Sequence, residues 1–142
     1  LAMKMKSLNK KSFCIVGDGE IQEGQVWEAF MLAPKFKLDN LVCFVDSNKS
    51  QNDGNVEDIL PIDPLQDKLK SFNWEVYRID GNCENQILEV MTKIDSSTNG
   101  NPKCVILDTQ KGHGVSFMNS PEWHAKAPNE HEYKKAIKEL QC

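Results

Sequence analysis

The stretch Phe13-Cys14-Ile15-Val16-Gly17-Asp18-Gly19-Glu20 joins an apolar run to a turn that holds an acid between two glycines. An apolar run of this length, closed by a Gly-rich turn, is typical of a strand inside a parallel sheet. A second run, Leu41 to Val45, ends in Asp46-Ser47-Asn48, and 28 residues (20–47) separate Gly19 from Asn48. This gap has room for a crossover helix, so the two runs are predicted to be parallel strands.

Strand and helix patterns alternate along the rest of the chain. Runs at 75–79 and 104–107 predict two more strands, and all the predicted strands are expected to be buried on both faces. The alternation predicts an α/β fold, a parallel sheet with helices on both faces. Helices are predicted at 21–36, 64–72, 84–94 and 129–140, the first with an apolar stripe of Val26, Trp27, Phe30, Met31 and Ala33.

The predicted helices carry recognisable start signals. Asp63 is expected to cap the helix at 64–72, with Pro64 at its first helical position. Asn129 followed by Glu132 predicts a capping box for the last helix. The segment 96–102 is rich in Ser, Asn and Gly and is predicted to be a loop.

The composition of the 142 residues is that of an ordinary globular protein, with 39% hydrophobic residues, 27% charged residues and a net charge of −4. We therefore expect one domain, residues 1–142, without the basic stripe that nucleic-acid binding requires. The longest apolar run is strand-sized, far short of the roughly 20 residues of a membrane helix, so membrane insertion is not expected.

The first residues bear on whether the domain is complete, and the cysteines bear on the redox compartment. The chain starts at Leu1 without an initiator Met, in what looks like the inside of a helix, so we expect an N-terminal portion of the domain to be missing. Cysteines stand at 14, 43, 83, 104 and 142 without a CxxC pair, and three lie in strand-like runs. Buried thiols in a reducing, cytoplasmic setting are expected in preference to a metal–thiolate site.

The ends of the first two predicted strands offer ligands for a hard cation. Asp18 and Asn48 are expected at the same edge of the sheet, where open α/β sheets bind ligands. The Asp18 carboxylate, the Asn48 amide oxygen and the Ser50 backbone carbonyl would leave positions on Mg²⁺ or Ca²⁺ for phosphate oxygens and water. Gly17 and Gly19 would let the backbone approach a phosphate. Alternatively, GDG and Asn48 are ordinary turn residues, and the pattern by itself leaves both interpretations open.

Four segments carry a resemblance to a known family. GDG followed by Asn48 resembles the thiamine diphosphate motif, and the fuller segments are similar to transketolase: GDGEIQEGQVWEA (17–29), LDNLVCFVDSNKSQNDG (38–54), KGHGVSFM (111–118) and EWHAKAP (122–128). The resemblance implies the thiamine-diphosphate-binding fold, of which this chain would be the later part of the diphosphate-binding domain.

The resemblance also implies roles for individual residues. Asp18, Asn48 and the Ser50 carbonyl would bind the metal, while the glycines of GDG and Asn48 would contact the diphosphate of the cofactor. His124 would lie beside the diphosphate and a substrate hydroxyl, where imidazole can donate a hydrogen bond or move a proton. Glu23 would contact a counterpart across a subunit interface. Without the resemblance, His124 is a structural loop histidine and Glu23 a solvated acid near a helix start.

The implied reaction moves a two-carbon ketol unit from a ketose phosphate to an aldose phosphate with thiamine diphosphate as cofactor. The family's pyrimidine-binding domain and its upstream histidines do not occur in this sequence. The chain alone is therefore expected to be inactive and to need a pyrimidine-binding domain or subunit, in a homo- or hetero-oligomer with two-fold symmetry.

Other functions stay open at the level of sequence. Deoxyxylulose-phosphate synthase and the thiamine-dependent component of 2-oxo acid dehydrogenases share GDG and Asn, and a non-catalytic scaffold that keeps the fold is a third alternative. Three positions depart from the usual transketolase pattern: Asn52 replaces an apolar residue, Gly81-Asn82-Cys83 replaces GHD, and His113 replaces a lysine.

Overall fold

The computed structural model describes residues 1–141 and has α/β architecture. Its strands are β1 (Ser12–Gly17), β2 (Leu41–Ser47), β3 (Ser50–Gln51), β4 (Gly54–Asn55), β5 (Glu75–Asp80) and β6 (Lys103–Asp108). Its α-helices are α1 (Ala2–Met5), α2 (Gly24–Lys35), α3 (Val56–Ile59), α4 (Leu65–Ser71), α5 (Glu84–Ser96) and α6 (Glu130–Leu140), and 3₁₀ turns span Glu20–Gln22 and Pro121–His124.

Within the described residues, four strands form one parallel sheet in the order β1-β2-β6-β5. The register pairs Gly17 with Asp46 and Ser47 with Asp108, so the carboxyl ends of these strands lie along one edge. The strands β3 and β4 form a small antiparallel hairpin directly after β2. The predicted parallel sheet is confirmed, and the loops that follow β1 and β2 share its carboxyl edge.

Hydrophobic side chains pack on both faces of the sheet, as predicted. On one face, α2 and α4 contribute Phe30 and Leu69 to a core centred on Val45 and Ile106. The indole Nε1 of Trp74 donates a hydrogen bond of 2.8 Å to the Phe30 carbonyl inside this core. On the other face, α5 packs against the central strands in a smaller cluster formed by Val42, Val90, Ile94 and Val105.

The prediction that every strand is buried on both faces is wrong for the two edge strands, β1 and β5, in which every residue is half-buried or exposed. Phe13 is 55% exposed and Ile15 is 72% exposed, and Phe13 stacks on the half-buried Phe44. The physical reason is position in the sheet, because β1 lies at an edge. On the face that carries Phe13 and Ile15, α5 packs against β2 and β6 and leaves β1 uncovered. The central strands β2 and β6 do bury Val42, Val45 and Val105 completely.

The first two predicted helices need correction at their starts. The segment 21–36 begins with a 3₁₀ turn, and α2 starts only at Gly24, after Glu23 takes an extended conformation. Met31 is 52% exposed and does not belong to the buried stripe. Pro64 occupies the N-cap of α4, not its first helical position. The Asp63 carboxylate still accepts a hydrogen bond of 3.2 Å from Leu65 N–H, so this acid does satisfy an end of the helix.

Other expectations are confirmed, with one exception. Asn129 and Glu132 form the predicted capping box at α6. Cys43 and Cys104 are buried free thiols as expected, but Cys14 on the edge strand β1 is exposed, so the expectation of a buried thiol is wrong there; the three cysteines lie in register on neighbouring strands. A hydrogen bond to Cys43, together with partial burial, raises the pKa of the Cys14 thiol, which makes it a poor nucleophile. None of the helices in the described part of the chain is long and apolar enough to cross a membrane.

Candidate functional site

A cleft of about 420 Å³ lies at the carboxyl edge of the sheet, between the loops that follow β1 and β2. Its wall contains each residue that the sequence proposes for the cation, the diphosphate and the catalytic histidine. These residues are far apart in the chain, and the fold brings them together. The lining residues are Gly17, Asp18, Gly19, Glu20, Glu23, Asp46, Asn48, Ser50, Gln51, Asn52 and His124.

Asp18 is the acid at the bottom of this cleft, with only 1% of its surface exposed. Its carboxylate accepts hydrogen bonds from two backbone groups, Gly19 N–H at 2.9 Å and Lys49 N–H at 2.6 Å. Burial raises the pKa of Asp18 above its ordinary value, against the opposing effect of these two hydrogen bonds. A buried carboxylate held only by neutral donors favours a cation beside it, because a cation offsets the cost of desolvation.

Asn48 presents its side-chain amide next to Asp18 in the same wall. The amide Nδ2 donates to Asp46 Oδ2 at 3.0 Å, and Oδ1 accepts from Ser50 N–H at 2.9 Å. Lys49, between Asn48 and Ser50, has a left-handed φ of 64°, which turns the chain so that its N–H reaches Asp18. The tight turn therefore connects the two proposed side-chain ligands directly.

Ser50 begins the β3–β4 hairpin and is 7% exposed. Within the part of the chain that the structure describes, its shielded hydroxyl has no hydrogen-bond partner. A buried hydroxyl without a partner is costly in a finished site, which fits a group that adds polar atoms to the cleft. The sequence interpretation used only the backbone carbonyl of Ser50 and missed this hydroxyl.

The two glycines of GDG have different surroundings. A Cβ added at Gly17 would meet nothing within 4 Å, so the glycine leaves open space next to the cleft. A Cβ added at Gly19 would lie 2.8 Å from the Cβ of Gln51. The need for glycine at 19 therefore comes at least in part from close packing against the hairpin, a contact that spacing alone does not reveal.

His124 lies in the 3₁₀ turn that packs against the β3–β4 hairpin, and this contact brings it to the cleft. Its side chain is exposed, and its Nδ1 lies 3.5 Å from the ammonium of Lys111. Trp123 next to it packs edge to face on Phe117 and carries Lys126 over its ring, which anchors the turn. The predicted histidine is thus beside the proposed diphosphate residues in space.

Glu23 also lines the cleft, at the N-cap of α2, where its carboxylate accepts from the Gln25 side chain. Of the departures from the family pattern, Asn52 lies in the cleft wall. Asn82 instead ties two loops together, since its Oδ1 accepts from Gln110 N–H at 2.9 Å.

The donor set fits a hard divalent cation shared with a diphosphate. Across residues 1–141, no group of three or more His, Cys, Asp or Glu side chains could hold a metal ion. A site made of one carboxylate, one amide and one backbone carbonyl does not need such a group, and oxygen ligands suit Mg²⁺ or Ca²⁺. Sequence reasoning missed Asp46, which lines the cleft and accepts a hydrogen bond from the Asn48 amide, and Thr109, whose hydroxyl donates to Asp46. The acid two residues before Asn48 was the available signal.

Comparison with known proteins shows the family to which the chain belongs. The family model described as the transketolase thiamine diphosphate binding domain matches residues 3–141. The chain belongs to the transketolase family. It is 40% identical over 141 residues to a subunit of the apulose-4-phosphate transketolase of Actinobacillus succinogenes, covering 99% of this chain and 50% of that protein. It is 39% identical over 142 residues to a 6-deoxy-6-sulfo-D-fructose transketolase subunit of a Clostridium species, covering 99% and 51%.

Solved transketolases share the fold. The transketolase of Campylobacter jejuni superposes with a TM-score of 0.85 at 27% identity, over 94% of this chain and 21% of that chain. The Leishmania mexicana enzyme superposes with a TM-score of 0.87 at 20% identity, over 94% and 20%. This transketolase-family chain spans about half the length of the curated relatives it matches and about a fifth of these solved chains.

Proposed function

We propose that this chain is the diphosphate-binding part of a transketolase-type subunit. The subunit would move a two-carbon ketol unit from a ketose phosphate to an aldose phosphate, using thiamine diphosphate and a divalent cation, Mg²⁺ or Ca²⁺. One observation carries the proposal: Asp18, Asn48, Ser50 and His124 line a single cleft at the carboxyl edge of a parallel sheet.

The proposed cation ligands are the Asp18 carboxylate, the Asn48 amide oxygen and the Ser50 carbonyl. Asp18 would supply the negative charge, and its two backbone hydrogen bonds hold the carboxylate in place before the cation arrives. The amide and carbonyl oxygens add neutral ligands, which leaves positions for phosphate oxygens and water.

The diphosphate would lie along Gly17, Gly19 and Asn48, where the open space at Gly17 admits a phosphate group. His124, exposed at the side of the cleft, would donate a hydrogen bond to an anionic oxygen or carry a proton to or from a substrate hydroxyl. When bound, thiamine diphosphate supplies the electron sink for breaking and forming the carbon–carbon bond.

The open side of the cleft is the proposed contact surface for a partner domain or subunit. A pyrimidine-binding domain or subunit would cover this side, with Glu23 at the contact, in an oligomer with two-fold symmetry. The domain, residues 1–142, would be completed by an N-terminal portion, and the protein would act in the cytoplasm on phosphorylated sugars. The names of the two curated relatives, each a transketolase subunit, support a partner subunit.

Calorimetry on the complete protein, assembled with its pyrimidine-binding partner, tests the proposal. Titration with thiamine diphosphate should show binding in Mg²⁺ and none after chelation of divalent cations. Asp18→Ala should weaken binding by about 100-fold or more, because it removes the charged ligand. The control Asp67→Ala removes an exposed acid on α4 and should bind as the wild type does.

Substrate assays then separate the related reactions. Transfer of a ketol unit between sugar phosphates supports the transketolase assignment, whereas consumption of pyruvate would indicate a relative with the same cofactor. A wild-type protein that shows no metal-dependent cofactor binding would leave only the scaffold alternative.

A further inference from the structure

The side-chain amide of Asn48 can serve as a cation ligand in only one of its two orientations. One end of the amide is an oxygen that accepts, and the other is an NH₂ group that donates. A flip by 180° would present the NH₂ group to the cation and remove a ligand. Something in the protein must therefore select the orientation, and the sequence motif does not say what.

Asp46 and Ser50 contact opposite ends of this amide. A carboxylate can only accept hydrogen bonds, so Asp46 Oδ2, 3.0 Å from the amide nitrogen of Asn48, pairs with the NH₂ group alone. The backbone N–H of Ser50 approaches the other end of the amide at 2.9 Å and pairs with the oxygen alone. These opposite requirements fix the amide oxygen on the side of Ser50, the third proposed ligand.

Thr109 in turn holds Asp46. Its hydroxyl donates to Asp46 Oδ1, the carboxylate oxygen that Asn48 does not use. Thr109 follows β6, the neighbour of β2, and its N–H donates to the Ser47 carbonyl at 3.4 Å. The Asp46 carbonyl accepts from Asp18 N–H at 3.1 Å, which ties the ends of β1, β2 and β6 to one residue.

We propose that Asp46 and Thr109 are positioning residues of the cation site: Thr109 fixes the Asp46 carboxylate, and Asp46 fixes the amide of Asn48 with its oxygen as ligand. This inference rests on the proposed function, because it assumes that Asn48 binds the cation. Neither residue needs to contact the cation or cofactor. Groups that orient ligands from outside typically contribute about 10- to 100-fold to metal affinity.

Thr109→Val is the central variant, since it removes the hydroxyl and keeps the shape of the side chain. In the complete protein with its partner subunit, the affinity for Mg²⁺ at saturating thiamine diphosphate should fall by about tenfold or more. Thr109→Ser keeps the hydroxyl and should restore the affinity to within about threefold of wild type. Thr92→Val makes the same change on the exposed side of α5 and should have no effect on affinity.

A double-mutant cycle tests the order of the contacts. Because Thr109 acts through Asp46, Asp46→Ala should weaken Mg²⁺ binding at least as much as Thr109→Val, and the double variant should be no weaker than Asp46→Ala alone. Melting temperatures of the cofactor-free variants are measured alongside, since a purely structural role would lower them and leave the affinity of the folded protein unchanged.

The outcomes separate this inference from the function on which it rests. Wild-type protein without Mg²⁺-dependent cofactor binding would overturn the proposed function itself. Wild-type binding together with unchanged affinity in Thr109→Val, or with additive losses in the double variant, would overturn the positioning role and leave the proposed function intact.

Discussion

Two acids at opposite ends of the carboxyl edge of the sheet have different surroundings. After β1, Asp18 is buried and held by backbone N–H groups. At the other end, Asp108 of β6 is partly exposed and held by the guanidinium of Arg78 on β5, through two hydrogen bonds of 2.7 Å. The glycine at each end differs too, since Gly17 borders open space and Gly81 is packed tightly.

The contrast shows which end is built for a ligand. Arg78 already neutralises Asp108, and this ion pair raises the pKa of Arg78, so the charge is satisfied within the protein. The Asp18 carboxylate is desolvated and hydrogen-bonded by neutral groups, so a bound cation gains the most there. An acid in a cleft therefore indicates a cation site more strongly when its hydrogen-bond partners are neutral than when they are charged.

The largest expected effect comes from exchanging the glycines for alanine. A Cβ at Gly81 would lie 2.5 Å from Thr109 Cγ2 and 2.8 Å from Leu107 Cβ, so Gly81→Ala should lower the free energy of unfolding by about 1–3 kcal/mol. Gly17→Ala has no such clash and should leave stability unchanged within about 0.5 kcal/mol. Urea denaturation measures both.

The effect of Gly17→Ala should appear in ligand binding instead of stability. The methyl group of Gly17→Ala would occupy space proposed for a phosphate, so the affinity for Mg²⁺ and thiamine diphosphate should fall by about tenfold. Equal stability losses in the two variants, or unaltered binding in Gly17→Ala, would contradict the distinction between an open end and a packed end.

The next effect is a pH dependence of the metal-free protein. Because burial raises the pKa of Asp18 above 3.8 in the folded state, the folded protein holds this proton more tightly than the unfolded chain does. The contribution of Asp18 to stability should therefore decrease as pH rises from 3.8 through the raised pKa, by at most about 1.4 kcal/mol per pH unit.

Asp18→Asn removes this titration, so the difference in unfolding free energy between wild type and variant isolates it. The difference should shift against the wild type as pH rises, and saturating Mg²⁺ should abolish the shift. A difference that does not depend on pH would show that burial does not raise the pKa of Asp18.

The smallest expected effect on stability comes from the ion pair between Arg78 and Asp108. Arg78→Gln breaks the pair with Asp108, and because both side chains are partly exposed the loss of stability should be below about 1 kcal/mol. Arg78→Lys keeps the charge but not the paired hydrogen bonds and should lie between Arg78→Gln and the wild type. Affinity for Mg²⁺ and thiamine diphosphate should stay within about twofold of wild type in calorimetry, and a larger change would show that the two ends are coupled.

Local patterns predicted much of the fold. The short apolar runs found the strands of the parallel sheet, and Asn129 with Glu132 located the start of α6, because these signals depend on neighbours in the chain. The exposure of Ile15 and Met31 was mispredicted, since it depends on strand order and helix placement. An apolar run looks the same in a central strand and in an edge strand.

The candidate site was predicted in part. Asp18 and Asn48 could be placed together because both directly follow parallel strands. The approach of His124 depends on how a distant 3₁₀ turn packs on the hairpin, and only the family resemblance suggested it. The contact of Thr109 with Asp46 joins strands whose adjacency no spacing rule gives, so it emerged from the structure alone.

The edge strand β1 has a practical consequence for anyone who works with these 142 residues in isolation. Phe13 and Ile15 face water beside a row of backbone groups that can pair with a further strand. Such an edge is a template for self-association. A preparation of this segment by itself should therefore form oligomers or precipitate as its concentration rises, and charged residues at 13 and 15 would be the first changes to try in keeping it dispersed.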